Sequence, residues 1–150
     1  MRNTGPHKFE MEQWVSCAPF EKLLNIEIVK AERGEAILKM PFLKDFAQGA
    51  GLMHGGAIVA LADTAAVMAI KSILPKGTHF ATTKLETEFL YPVKKGYIEC
   101  FAKVNRQKDN DRIFLAHADV VDENKRKVMQ FDSIFKIAKN SIIKNIKFKE

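Results

Sequence analysis

Residues 51–70 read Gly-Leu-Met-His-Gly-Gly-Ala-Ile-Val-Ala-Leu-Ala-Asp-Thr-Ala-Ala-Val-Met-Ala-Ile. From Gly55 to Ile70 one residue ionises, Asp63. The run is too long for a buried strand and suits a helix that is apolar on nearly every face, so it belongs in a core. A carboxylate there is costly unless it is paired, hydrogen-bonded or protonated. That cost marks Asp63 as a candidate working residue. The plain alternative is a buried carboxylate satisfied by Thr64, Thr82 or backbone groups.

The segment leading into this run is Gln48-Gly-Ala-Gly51-Leu-Met-His54-Gly55-Gly56. Two glycines at a helix start let the backbone come close to a ligand. The first N–H groups of a helix lack internal partners and sit at its positive end. Such a site suits a carbonyl oxygen that gains negative charge, an oxyanion hole. The competing readings are a glycine loop that lets two elements pack, and a His54 that caps the helix. His54 and Asp63 are nine residues apart. On a helix that is a rise of about 13 Å and a rotation of about 180°. Two such groups cannot serve one small reacting group from the same chain. If both work, Asp63 of one copy faces the glycine loop of another, as in a two-fold dimer.

Other chemistries find no support in the sequence. His7, His79 and His117 are scattered, no His-Glu-x-x-His occurs, and the expectation is no metal. There is no Gly-x-Ser-x-Gly elbow. Cys17 and Cys100 are the two cysteines, too few and too far apart for a disulfide framework or a zinc site.

The elements that must position these residues follow from patterning. Residues 8–24 carry apolar positions at helical spacing, broken by Pro19. Residues 25–32 and 35–42 flank Arg33-Gly34 as a hairpin. Residues 43–53 form a loop, and the apolar helix runs from about Gly55 to Leu74, ended by Pro75-Lys-Gly77. Strands are expected at 79–90, which alternates weakly, and at 97–105, 112–121 and 127–138. Polar turns between them indicate antiparallel hairpins. One long buried helix and about six strands make an α+β arrangement, a curved antiparallel sheet wrapped around a central helix. The face of the helix that one sheet leaves bare meets a second copy of the chain.

With 150 residues and 47% apolar composition, one globular domain over 1–150 is expected. Its core is at about 18–138, followed by a basic tail at 140–150 holding Lys144, Lys147 and Lys149. The start of the chain lacks an apolar h-region, and the apolar run is too short to span a bilayer. A soluble cytoplasmic protein with no membrane partner is the expectation. The net charge of +6 is spread along the strands with no aromatic-rich basic motif, so no nucleic-acid partner is expected. A basic rim attracting a phosphorylated small molecule and a plain solvated surface both accommodate it.

These residues resemble a known family. Gln48-x-x-Gly51-x-x-His54-Gly55-Gly56 followed by Leu61-Ala62-Asp63 is similar to the active-site signature of hotdog-fold thioesterases of the phenylacetate-pathway, PaaI-like type. Thr82-x-x-Leu85-x-x-x-Phe89-Leu90-x-Pro92 is similar to the strand after the hotdog helix, and Pro19-Phe20 with the following hairpin also fits. The resemblance covers roughly residues 18–138. It implies a hotdog fold in dimers that often pair into tetramers, and hydrolysis of acyl-coenzyme A thioesters at the dimer interface. It makes Asp63 the general base or nucleophile, and the N–H of Gly55, helped by Gly56, the donor to the thioester carbonyl. His54 orients the loop and contacts the substrate, Gly51 and Gly56 bind the substrate, and Thr82, or Thr83 in its place, holds the attacking water or the carboxylate. Many members carry asparagine at the position of Gln48. Glutamine keeps the amide and adds a methylene, enough to shift a contact by about 1 Å. Lys94, Lys95, Arg106 and Arg112, near strand ends, are the candidates for the phosphates of coenzyme A. No cofactor is implied, since coenzyme A is part of the substrate. The alternatives are a non-catalytic acyl-coenzyme A-binding hotdog protein, in which Asp63 would have no task, and a hotdog dehydratase or hydratase, for which no signature is present.

Overall fold

The apolar run folds as expected into one helix, α2, Gly55–Lys71, in a computed structural model that describes residues 2–139. The expected basic tail at 140–150 lies outside the described residues. Before α2 come a short helix α1 (Pro19–Leu23) and strands β1 (Glu27–Glu32) and β2 (Glu35–Pro41). After it come β3 (Phe80–Phe89), β4 (Tyr97–Arg106), β5 (Ile113–Asp122) and β6 (Lys127–Ile137). All six strands form one antiparallel sheet in the order β1-β2-β4-β5-β6-β3. The sheet wraps α2, which packs on β2, β4, β5 and β6.

The packing follows from side-chain size. The sheet-facing side of α2 carries Leu61, Ala62, Ala65, Ala66 and Ala69, all fully buried. Alanines let strands approach the helix closely, and the inner faces of β4 (Ile98, Cys100, Ala102, Val104) and β5 (Phe114, Ala116, Ala118, Val120) fill the gap. Burial pushes the Cys100 thiol far up, so Cys100 is a core residue and not a nucleophile. The β1–β2 turn has positive φ at both Arg33 (51°) and Gly34 (81°), the geometry that matches strand twist. The Gly34 N–H donates to Ser72 Oγ (2.9 Å), tying this hairpin to the end of α2. Ser72 caps α2, so the helix ends three residues before Leu74.

One sequence expectation changes. The helical pattern over 8–24 yields a helix only at Pro19–Leu23, which Pro19 opens rather than breaks. The apolar residues before it act singly. The Trp14 indole N–H donates to the free carbonyl of Lys71 (2.9 Å) and its ring meets Phe80 edge-on, while Phe9 is largely exposed. As expected, the sheet leaves one face of α2 bare. Val59, Ala60, Asp63 and Val67 form a half-buried stripe that the sheet does not cover.

β3 alternates weakly in sequence because it contains a bulge. Thr82 pairs with Phe135 and Lys84 with Ile134, leaving Thr83 as the extra residue. Cross-strand partners share a face. Thus Phe80 and Thr82 face α2 before the bulge, and Leu85, Thr87 and Phe89 face it afterwards. β3 is also an edge strand, and on its inner face Leu85 and Phe89 stay 40% and 54% exposed.

Ser133, opposite Leu85, is 4% exposed, and its hydroxyl has no hydrogen-bond partner among the described residues. An unmet buried hydroxyl costs free energy that alanine would not. Ser133→Ala is therefore expected to gain about 1 kcal/mol in urea unfolding. A less stable variant would show that the hydroxyl has a partner in the folded protein.

Candidate active site

The loop before α2 is closed on itself. Gln48 N–H donates to Leu52 O (2.8 Å), and Gly51 N–H donates to Gln48 O (2.9 Å) at a φ of 84° that favours glycine. The Gln48 side-chain carbonyl accepts from the Ala50 N–H. Met53 N–H donates to Val93 O (2.9 Å) and His54 N–H to Phe46 O (2.8 Å), which fixes where α2 begins.

His54 is the N-cap, and its Nδ1 accepts the Gly56 N–H at 2.9 Å. This engages the Gly56 donor with the protein itself. The Gly55 N–H meets no acceptor among the described residues. A side chain at either glycine would crowd a neighbouring ring. A Cβ on Gly56 would lie 2.9 Å from His54 Nδ1, and one on Gly55 would lie 3.1 Å from the Phe89 ring. Gly55 and Gln48 line one groove of about 380 Å³ with Leu52, Ile58, Phe89 and Tyr91.

Asp63 stands two turns along α2, about 12 Å from Gly55 at 1.5 Å per residue. It does not line that groove. Its Oδ1 accepts the Thr82 hydroxyl at 3.0 Å. Burial pushes the Asp63 carboxyl up, the Thr82 hydrogen bond partly opposes this, and the nearby charge of Glu21 adds to it. Thr83, the bulge residue, is exposed and turns its hydroxyl to Ile134 O (3.3 Å), away from Asp63. The expected site residues thus form two groups, Gln48 with Gly55 in the groove and Thr82 with Asp63 on the bare stripe.

The basic candidates also divide. Lys94 and Lys95 line a hollow that shares Pro92 and Val93 with the groove. Arg106 and Arg112 do not flank it. Arg106 ends β4 and lies over the Phe114 ring, and Arg112 donates to Ala138 O (2.7 Å). The length of β4, about 30 Å, separates Arg106 from the Lys94–Lys95 end. Proximity to strand ends did not say which end. Arg126 also lines the hollow, its guanidinium carbon 4.6 Å from the centre of the Tyr91 ring. No group of three or more candidate metal ligands occurs among the described residues. Among them, no helix is long and apolar enough to cross a membrane.

The family model described as the thioesterase superfamily matches residues 50–129, the span from the glycine loop to β6. The chain belongs to the thioesterase superfamily. A relative from Saccharolobus solfataricus, named "Putative esterase", is 28% identical over 86 residues, 57% of this chain and 61% of that protein. Among solved structures, conserved protein PA5202 of Pseudomonas aeruginosa matches with a TM-score of 0.77 at 21% identity, over 85% of this chain and 100% of that one. The E. coli PaaI protein of the phenylacetic acid degradation operon matches at 0.73 and 23%, over 83% and 88%. At these identities the likeness is one of fold. The sheet around α2 is the hotdog fold that the superfamily member's sequence led us to expect.

The raised carboxyl of Asp63 has a consequence for stability. A carboxyl whose pKa is higher in the folded than in the unfolded chain favours folding at low pH. That contribution is lost as pH rises through the folded value. At neutral pH the ionised side chain is therefore a net cost. Asp63→Asn is expected to raise the melting temperature at about pH 7 and to lose that advantage by about pH 3, where aspartate is protonated in both states. A variant that melts below wild type at neutral pH would show that the charge stabilises the fold.

Proposed function

We propose that this chain hydrolyses acyl-coenzyme A thioesters to the free acid and coenzyme A, at a site completed by two copies of the chain. The observation that carries the reading is the division of labour along α2. A Gly55 N–H without an acceptor lies at the helix start, and a single carboxylate held by one hydroxyl lies about 12 Å further on. A thioester carbonyl is electrophilic and its thiolate leaves readily. Hydrolysis then needs one donor for the developing oxyanion and one carboxylate to act as base toward water or as nucleophile.

The Gly55 N–H polarises the carbonyl, aided by the positive end of α2. His54 keeps that end in place by capping it. The Gln48 amide keeps its NH2 group for the substrate or the attacking water, since its carbonyl holds the loop. Thr82 orients Asp63, and burial makes that carboxylate more basic than a free one. Asp63 and Gly55 of one chain are too far apart to share one carbonyl. Asp63 of a partner reaches the groove when the bare stripe of α2 and the free edge of β3 meet a second copy. The ten-residue unpaired edge and the exposed Leu85 and Phe89 support such a homodimer. Dimers that pair further into tetramers agree with it. A site of this kind works in solution, in the cytoplasm, without metal, cofactor, membrane or nucleic acid.

Asp63→Asn is expected to lower kcat by about a hundredfold or more against a panel of acyl-coenzyme A esters. Near wild-type turnover would remove Asp63 from the chemistry. The shared site makes a separate prediction. Gly55→Val places a branched side chain against Phe89 and disables the donor end. Mixing inactive Gly55→Val with inactive Asp63→Asn under conditions of subunit exchange should return part of the activity, because hybrid dimers contain one intact site. Exchange proven by mass with no activity returned would place the whole site in one chain.

A further inference from the structure

The bare stripe of α2 is closed at one end by the segment that precedes α1. Asp63, Val67 and Lys71 follow one another at steps of four residues and share one ridge of the helix. Val67 lies about 6 Å and Lys71 about 12 Å beyond Asp63. The inner face of β3 borders this ridge, with Thr82 on Asp63 and Phe80 next along the strand. Where α2 finishes, Trp14 lies across the ridge, bonded to Lys71 and in contact with Phe80. Val15 and Cys17, which follow it, pack against the core. The charge of Glu21 reaches both Asp63 and Lys71, so α1 flanks the same stretch.

The indole is held on three sides. Its N–H donates to Lys71 O (2.9 Å), the Lys71 Nζ lies 4.7 Å from the ring centre, and Phe80 meets it edge-on with centroids 6.4 Å apart. Phe80 in turn meets the fully buried Phe135 edge-on at 5.7 Å, so a chain of rings ties Trp14 to the core. A ring fixed in this way is a wall and not a flap. Val67, Phe80 and Trp14 are each half-buried, packed on one side and open on the other. Beyond the polar pair of Asp63 and Thr82, the recess is therefore apolar and ends at an indole. Trp14 stands before residues 50–129, the span that the superfamily model matches.

We propose that Trp14 is the end wall of the acyl pocket and sets an upper limit on acyl length, so that the chain selects short acyl groups over long ones. The inference rests on the thioester-hydrolase reading, in which Asp63 acts on a carbonyl held by the partner's Gly55. An acyl chain that leaves this carbonyl along the ridge passes Val67 and Phe80 and meets the indole within about 12 Å of Asp63. The thiol half of coenzyme A carries charge and needs a way to solvent, which a closed apolar recess denies it. The acyl half is the part of the substrate that suits the recess. A purely structural Trp14, a staple on the end of α2, makes a different prediction, because a staple is indifferent to acyl length.

The test measures kcat and KM of the full chain for straight-chain acyl-coenzyme A esters from butyryl to palmitoyl. For wild type, kcat/KM should fall by about tenfold or more between hexanoyl and dodecanoyl esters. Trp14→Ala should bring that ratio close to one, chiefly by lowering KM for the longer esters. Trp14→Phe loses the indole N–H but keeps a ring, and should keep the limit. Val67→Phe leaves Trp14 and its hydrogen bond in place, narrows the recess from within, and should move the limit to shorter chains. If Trp14→Ala does not fold, Val67→Phe decides alone. A wild-type profile that is flat with length, a Trp14→Ala variant that loses the same factor on every ester, or a Val67→Phe variant with the wild-type limit overturns the role of Trp14 and leaves the hydrolase reading standing. A wild-type chain that hydrolyses none of the esters overturns the hydrolase reading and this inference with it.

Discussion

The sheet has to close around a helix that has no polar side to give to water. α2 buries alanines and leucine against the sheet, and the strands bend around it because small side chains let them. A sheet of six strands covers only part of a cylinder. The remaining strip of α2, with Val59, Ala60, Asp63 and Val67, stays half-buried. Everything distinctive about the chain follows from that incomplete wrapping. The carboxylate sits on the strip, the edge strand β3 borders it, and the free donor lies at the helix start beyond it.

Much of this was legible beforehand, for physical reasons. Apolar length located α2, and polar turns separated β4, β5 and β6. The glycine loop and the lone aspartate stood out because their types are costly where they sit. The spacing turned Asp63 away from the glycine loop of its own chain, and it lies on the strip that the sheet leaves bare. β3 was the weakest strand in the sequence because Thr83 shifts its alternation midway. The segment before Pro19 suggested a helix because Trp14 and its neighbours are apolar, yet Trp14 acts as a single peg on α2.

The candidate site shows the same division. Spacing had separated Asp63 from the glycine loop, and Thr82 was one of three partners named for Asp63. The motif did not show that Gly56 gives its N–H to His54, since a cap and a catalytic loop are written with the same letters. Arg106 and Arg112 looked equivalent to Lys94 and Lys95 until the strand direction separated them by the height of the sheet.

The bulge at Thr83 carries a lesson for comparing this strand with its relatives. One added residue makes β3 two half-strands out of phase, so even-numbered positions face the helix in the first and odd-numbered ones in the second. A relative without the insertion, aligned here without a gap, would have its inward residues matched to outward ones over half the strand. A substitution at Phe89 would then be scored as a surface change when it alters the wall beside Gly55. Evolution can exploit the same fact. Gaining or losing a single residue at 83 would exchange the entire set of side chains offered beside the glycine loop, while leaving the contact between Thr82 and Asp63 where it is.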